Sequence, residues 1–165
     1  VKNIILCGFM GCGKTTIGKL LAKQLSMEFI DLDQQIEQKQ QMSIPEIFSQ
    51  WGEERFRQLE HEAVAELSRR IRCIVSTGGG ALTFSRNLAV LSPQDLVVFI
   101  DASFPVCYER IKDSSRPVVR RSTPRQLEEV FAVRRPLYQK AAGLWVSGDR
   151  PAQEIADEIA REYKK

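Results

Sequence analysis

Short, unbroken apolar runs recur along the chain, and between them the apolar residues thin out to spacings of three and four. The runs within 3–7, 28–31, 73–77, 96–100 and 144–146 are too short for helices and show no polar face, so they predict strands covered on both sides. After the first run, Ile17, Leu20, Leu21 and Leu25 fall on one helical face and predict a helix over 14–26. The same spacing predicts helices over 32 to about 41, 53–71 and 151–163. Ser43-Ile44-Pro45-Glu46 is a capping box with proline in the first turn and starts another helix. Thr123-Pro124-Arg125-Gln126 repeats that grammar. Between the elements at either side, 113–122 has no period, one Ser-Arg and one Arg-Ser step and Pro117, and reads as a mobile loop suited to act as a lid. Strand–helix alternation predicts an α/β fold whose parallel sheet is flanked by helices. No internal repeat and no second domain is visible, so the whole of 1–165 is expected to be one domain.

The turn between the first strand and the first helix carries chemistry. Gly8-Phe9-Met10-Gly11-Cys12-Gly13-Lys14-Thr15 is G-x-x-x-x-G-K-[ST], the phosphate-binding P-loop, in the strand–loop–helix setting that gives the motif meaning. Its glycines let successive backbone N–H groups turn toward phosphate oxygens at a helix N-terminus. Lys14 then reaches the β- and γ-phosphates and the Thr15 hydroxyl ligates Mg²⁺. The bland alternative is a glycine-rich turn that happens to precede Lys-Thr. The motif predicts a nucleoside triphosphate as the first ligand.

Composition narrows the setting. No stretch approaches the roughly 18 apolar residues of a membrane span, and the first strand begins at once, so a soluble, cytoplasmic protein is expected. Cys7, Cys12, Cys73 and Cys107 form no C-x-x-C pair and are expected as reduced thiols. A net charge of +3 conceals an uneven distribution. Residues 110–150 carry 10 basic and 4 acidic side chains, against 11 and 13 in 1–109. Such a patch can mark nucleic-acid binding, but it has few aromatics to stack bases, and cations over nucleotide phosphates explain it better.

Among P-loop classes, a GTPase switch needs D-x-x-G and N-K-x-D, and neither string occurs. An ATPase motor or a regulatory binding module is usually longer and places an acidic residue at a strand end to organise water, whereas a small-molecule kinase unites the other features. Phe29-Ile30-Asp31-Leu32-Asp33 puts two carboxylates at i and i+2 where the second strand ends. On an extended segment both face the crevice where such sheets bind ligands. One carboxylate can serve the metal while the other accepts a hydroxyl proton; either could instead simply cap the next helix. Asp101, which ends another apolar run, is a rival metal ligand. Thr77-Gly78-Gly79-Gly80 predicts close backbone approach to a ligand or a positive φ, or else a flexible hairpin. Arg57 and Arg134 offer guanidinium forks that suit a carboxylate, although each alone reads as a solvated helix residue.

Over essentially its whole length the sequence resembles the shikimate kinases. The likeness rests on G-F-M-G-C-G-K-T-T-I-G at 8–18, F-I-D-L-D at 29–33, G-E-E-R-F-R at 52–57, G-G-G at 78–80, R-P at 116–117 and R-R-P-L-Y at 134–138. It implies ATP-dependent phosphorylation of the 3-hydroxyl of shikimate on the route to aromatic amino acids. It also implies the three-layer, nucleoside-monophosphate-kinase-like P-loop NTPase fold, with five parallel strands in order 2-3-1-4-5, a substrate region near 32–60, a lid and a monomeric state. By position, Asp33 would orient and deprotonate the attacking hydroxyl, and Arg57 and Arg134 would clamp the carboxylate. Gly78, Gly79 and Gly80 would line the ring hydroxyls. Gly11, Cys12, Gly13, Lys14, Thr15 and Thr16 would hold ATP, Asp31 would hold Mg²⁺ through water beside Thr15, and Arg116 would close onto the transferring phosphoryl. Arg110 and the Arg150-Pro151 turn would sandwich adenine. Cys12 replaces the more usual small residue, and Val118-Val119 the usual leucine pair. The runner-up is a kinase of another polyol acid such as gluconate; a regulatory domain that binds a similar ligand without turnover is the alternative of another class.

Overall fold

In a computed structural model, which describes residues 2–165, five parallel strands form one sheet in the order β2-β3-β1-β4-β5. They are β1 (Ile4–Cys7), β2 (Glu28–Asp31), β3 (Cys73–Ser76), β4 (Leu96–Asp101) and β5 (Leu144–Ser147). β1 lies between β3 and β4, with Ile4 opposite both Ile74 and Leu96. Ile4, Ile5 and Leu6 are fully buried, which explains why this strand reads as a continuous apolar run. Helix α1 (Lys14–Leu25) packs on β3 and on α8 (Ala152–Tyr163), and α7 (Pro124–Ala141) packs on β4. A separate small cluster of Ile36, Ile47, Phe56 and Leu59 joins α2 (Leu32–Gln40) to α3 (Ile44–Glu66). No helix among the described residues is long and apolar enough to cross a membrane.

Four expectations need correction. Helix α2 starts at Leu32 because the Asp31 side chain caps it, accepting from the Gln34 N–H at 3.2 Å. Asp31 and Asp33 therefore do not share one extended strand. The helix expected over 53–71 begins at the Ser43 capping box, breaks at Gly52 (φ 83°, ψ 172°) and ends at Glu66, followed by a 3₁₀ turn over Leu67–Arg69. Only glycine adopts that backbone readily, so the break is encoded at one position. Within the expected loop 113–122 there is a short helix, α6 (Pro117–Arg120), which Pro117 at its first position preorganises. Finally, α4 (Ser85–Ala89) and α5 (Phe104–Ile111) are additional helices too short to show a period.

Every strand ends toward the same rim. The P-loop follows β1, Asp31 ends β2, the glycine segment follows β3, Asp101 ends β4 and the Arg150 turn follows β5. Ligands bind at this carboxyl rim in open parallel sheets.

Candidate active site

Two cavities open along that rim. The first, of about 430 Å³, lies over the P-loop, and the second, of about 270 Å³, lies between α3, the glycine segment, α6 and α7. Met10, Asp33, Gly79 and Arg116 belong to the walls of both.

In the first cavity the P-loop curls with Gly11 and Gly13 at φ 82° and 105°, a left-handed backbone that other residues resist. Lys14 is buried; its Nζ donates to the carbonyls of Gly8 (2.7 Å) and Phe9 (3.2 Å) and lies 3.7 Å from the Cys12 Sγ. Gly11, Cys12, Gly13, Lys14, Thr15, Thr16, Asp31, Arg110 and Arg150 all line this cavity. Arg110 donates to the Gly11 carbonyl at 2.8 Å, and Arg150 pairs with Glu158 at 2.6 Å. Pro151 caps the start of α8 and is not part of the wall. Asp101 faces elsewhere: Arg135 holds it bidentately, at 3.1 and 2.7 Å, and it lines neither cavity. Of the two rival strand-end carboxylates, only Asp31 faces the nucleotide loop.

The second cavity brings Asp33, Arg57, Gly78, Gly79, Gly80 and Arg134 together. The three glycines are there for space. A Cβ on Gly78 would sit 2.8 Å from an Asp33 carboxylate oxygen, one on Gly79 3.0 Å from Met10 and 3.4 Å from Arg134, and one on Gly80 2.8 Å from Arg57. None of the three has a positive φ, so close approach, and not a special turn, is the reason for this run. What approaches is Asp33 at Gly78, Met10 and Arg134 at Gly79, and Arg57 at Gly80. The rim of the segment is tied down: the Thr77 Oγ1 donates to Leu6, and the buried Tyr138 hydroxyl donates to the Gly79 carbonyl.

Arg57 is held at the tip of its fork, while its buried Nε has no hydrogen-bond partner among the described residues. Its Nη1 donates to Glu60 at 3.0 and 3.2 Å, and its guanidinium lies over the rings of Phe56 and Phe84 at 5.2 and 5.0 Å. Glu60 is only 2% exposed, and that burial raises its pKa above the ordinary carboxylate range, while the Arg57 charge pulls it back. Sequence reasoning missed Glu60, although its place three residues after Arg57 on one helix face is a readable signal. Arg116 donates to Asp33 at 3.1 Å, so the loop residue and the carboxylate meet where the two cavities join. Apolar side chains of Met10, Ile44, Phe48, Phe56 and Val118 complete the wall. A phosphate loop with a lysine thus adjoins a carboxylate, two arginines and an apolar wall of a size that suits a small acid.

Comparison with known proteins places the chain. A family model described as shikimate kinase matches residues 10–164. A protein named shikimate kinase from Thermodesulfovibrio yellowstonii is 38% identical, over 100% of this chain and 96% of its own length. The solved shikimate kinase from Acinetobacter baumannii in complex with shikimate superposes with a TM-score of 0.93 at 34% identity, covering 99% of this chain and 93% of that one. A deoxyadenosine kinase from M. mycoides shares the fold at a TM-score of 0.68 and 15% identity, over 98% of both chains. With the same sheet order, a full-length match and the whole motif set gathered around one pair of joined cavities, this chain belongs to the shikimate kinase family.

Proposed function

We propose that the protein transfers the γ-phosphoryl group of ATP to the 3-hydroxyl of shikimate, yielding shikimate 3-phosphate and ADP in the synthesis of chorismate and the aromatic amino acids. The observation that carries this reading is the meeting of the phosphate-loop cavity and the arginine-lined cavity at Asp33, Gly79 and Arg116. A donor in one and an acceptor in the other have their reacting ends at that junction.

Arg57 and Arg134 bind the acceptor carboxylate through charge-assisted hydrogen bonds, and the backbone of Gly78–Gly80 lies against its ring hydroxyls. Asp33 accepts the proton of the attacking hydroxyl, which requires Arg116 to leave it. Arg116 then turns its charge to the transferring phosphoryl, while Lys14 and the loop N–H groups hold the β- and γ-phosphates. Arg110 and Arg150 flank the base. Thr15 and Asp31 supply one hydroxyl and one carboxylate oxygen to the same cavity; no cluster of three or more His, Cys, Asp or Glu suited to a metal occurs among the described residues. That sparse oxygen set fits Mg²⁺, which keeps its waters and leans on substrate phosphates. When bound, the ion neutralises phosphate charge as it develops. In this reading the chain is one kinase domain with a substrate region near 32–60 and a lid at 113–122. It works as a cytoplasmic monomer on small molecules, without nucleic acid or membrane.

The test is ADP release with Mg²⁺ and ATP, measured in parallel on shikimate, quinate and gluconate. Shikimate is expected to be turned over with the highest kcat/KM; a higher value for gluconate or quinate overturns the assignment.

A further inference from the structure

The glycine segment presses on Arg57 so closely that something must fix the gap between them. Arg57 belongs to α3, whereas Gly80 belongs to the chain leaving β3, and the atoms of the arginine fork lie within 3 Å of where a Cβ on Gly80 would stand. One buried side chain spans the two pieces. Asn87, 1% exposed in α4, donates its Nδ2 to the carbonyl of Ala81 at 2.7 Å, and its Oδ1 meets the Nδ1 of His61 at 2.8 Å. His61 lies on α3, next to Glu60 and one turn beyond Arg57. Ala81 directly follows Gly80 and is itself fully buried.

The chemistry of this link fixes its own orientation. A carbonyl only accepts, so the Asn87 nitrogen must face Ala81 and its oxygen must face His61. His61 must then carry a proton on Nδ1, as it does in the neutral tautomer with that hydrogen and in the imidazolium alike. The link is therefore a fixed spacer between the two pieces.

We infer that Asn87 is a positioning residue for the acceptor site: through Ala81 and His61 it sets the distance between the Gly80 backbone and the Arg57 guanidinium, and so the fit of the acceptor's acid group. Asn87 lines neither cavity and acts only through these neighbours. The inference rests on the function proposed above, and the parent enzyme's turnover of shikimate tests that function separately.

Asn87→Ala strands the Ala81 carbonyl and the His61 Nδ1–H. Losing partners for buried polar groups is expected to raise the shikimate KM about 5- to 20-fold, with the ATP KM within about twofold of the parent. In an Arg57→Ala background the same change is expected to cost less than about twofold, because residues that act through one another are not additive. Amide exchange over 78–83 is expected to accelerate in Asn87→Ala without substrate present, a readout independent of which acid is the acceptor. Should Asn87→Ala fold poorly, a second pair carries the test. His61→Asn places an amide N–H near the lost Nδ1 and is expected to keep parental KM for shikimate, while His61→Leu raises it. Equal increases in both KM values, full additivity with Arg57→Ala, unchanged exchange over 78–83, or equal impairment in His61→Asn and His61→Leu overturns the inference.

Discussion

Asp33 is held by one partner that the proposed reaction requires to let go and one neighbour that leaves no room. Arg116 pairs with its carboxylate at 3.1 Å, and Gly78 lies so near that a Cβ would come within 2.8 Å of it. Asp33→Asn keeps the shape and removes the oxygen proposed above to accept the proton. Turnover is expected to fall about 10²- to 10⁴-fold, while ATP binding, measured by titration, stays near parental because the P-loop is untouched. Gly80→Ala tests the opposite wall. The clashing atoms are the tip of Arg57, which Glu60 and two phenyl rings restrain. The fold is expected to survive, with the unfolding midpoint little changed, while shikimate affinity drops about tenfold as the fork is displaced. Gly8 differs: a Cβ there meets the Ile100 carbonyl at 2.7 Å from a residue at φ 148°, so the backbone itself would have to move. At this scale the sequence is most legible where chemistry is local. The P-loop and the Asp31–Asp33 pair can be named from consecutive letters. Glu60 is legible only as the partner of Arg57 one turn earlier on the same helix, and Asn87 is not legible at all, since its importance arises only when α3 and the chain after β3 come together. Asp101 misleads for the same reason, because the arginine that occupies it is 34 residues away in sequence.

At the scale of elements, β1 and β3 are readable because both faces are covered, which leaves a continuous apolar run, whereas the edge strands β2 and β5 bury one residue each and expose Glu28 and Trp145. Helix α3 is not readable, because two helical pieces meet at Gly52 with no apolar gap to betray the break. That glycine has open space around it and a φ of 83°. Gly52→Ala therefore tests backbone conformation alone. It is expected to cost about 1–3 kcal/mol in denaturant unfolding and to raise the shikimate KM, since Ile44 and Phe48 on the first piece line the acceptor cavity. The α6 segment poses the question of movement. The Arg116 side chain is 46% exposed in its pair with Asp33, and a pair so wet contributes about 0–1 kcal/mol. Substrate can separate it at little cost. Arg116→Ala is expected to lower kcat about 10²-fold or more, with a much smaller effect on ATP affinity. Amide exchange over 113–122 should be fast in the free protein and slow with nucleotide and shikimate together; equal protection in both states contradicts a lid.

Across the whole molecule, one buried carboxyl gives stability a pH dependence opposite to the common one. Burial raises the Glu60 pKa above its ordinary 4.5, so the folded state holds that proton more tightly than the unfolded chain. Its contribution is complete below the unfolded pKa and is lost as pH rises through the folded value. Glu60→Gln removes this loss. Denaturant midpoints of parent and variant, compared from pH 4 to 7, are expected to move in the variant's favour with rising pH, although its grip on Arg57 is weaker. The Cys7 and Cys107 thiols are pushed up to about 12 by burial, so both stay protonated and unreactive around neutrality.

The sheet order has a further consequence, for how such a molecule can change its diet. The phosphate loop hangs from β1 in the middle of the sheet, whereas Asp33, Arg57, Glu60 and His61 all arrive on the excursion between β2 and β3. Strands β2 and β3 are neighbours in register, Glu28 opposite Cys73 and Asp31 opposite Ser76, so the excursion leaves and returns at fixed points. A change confined to that excursion would replace one wall of the acceptor cavity while leaving the phosphate loop, the glycine segment and Arg134 in place.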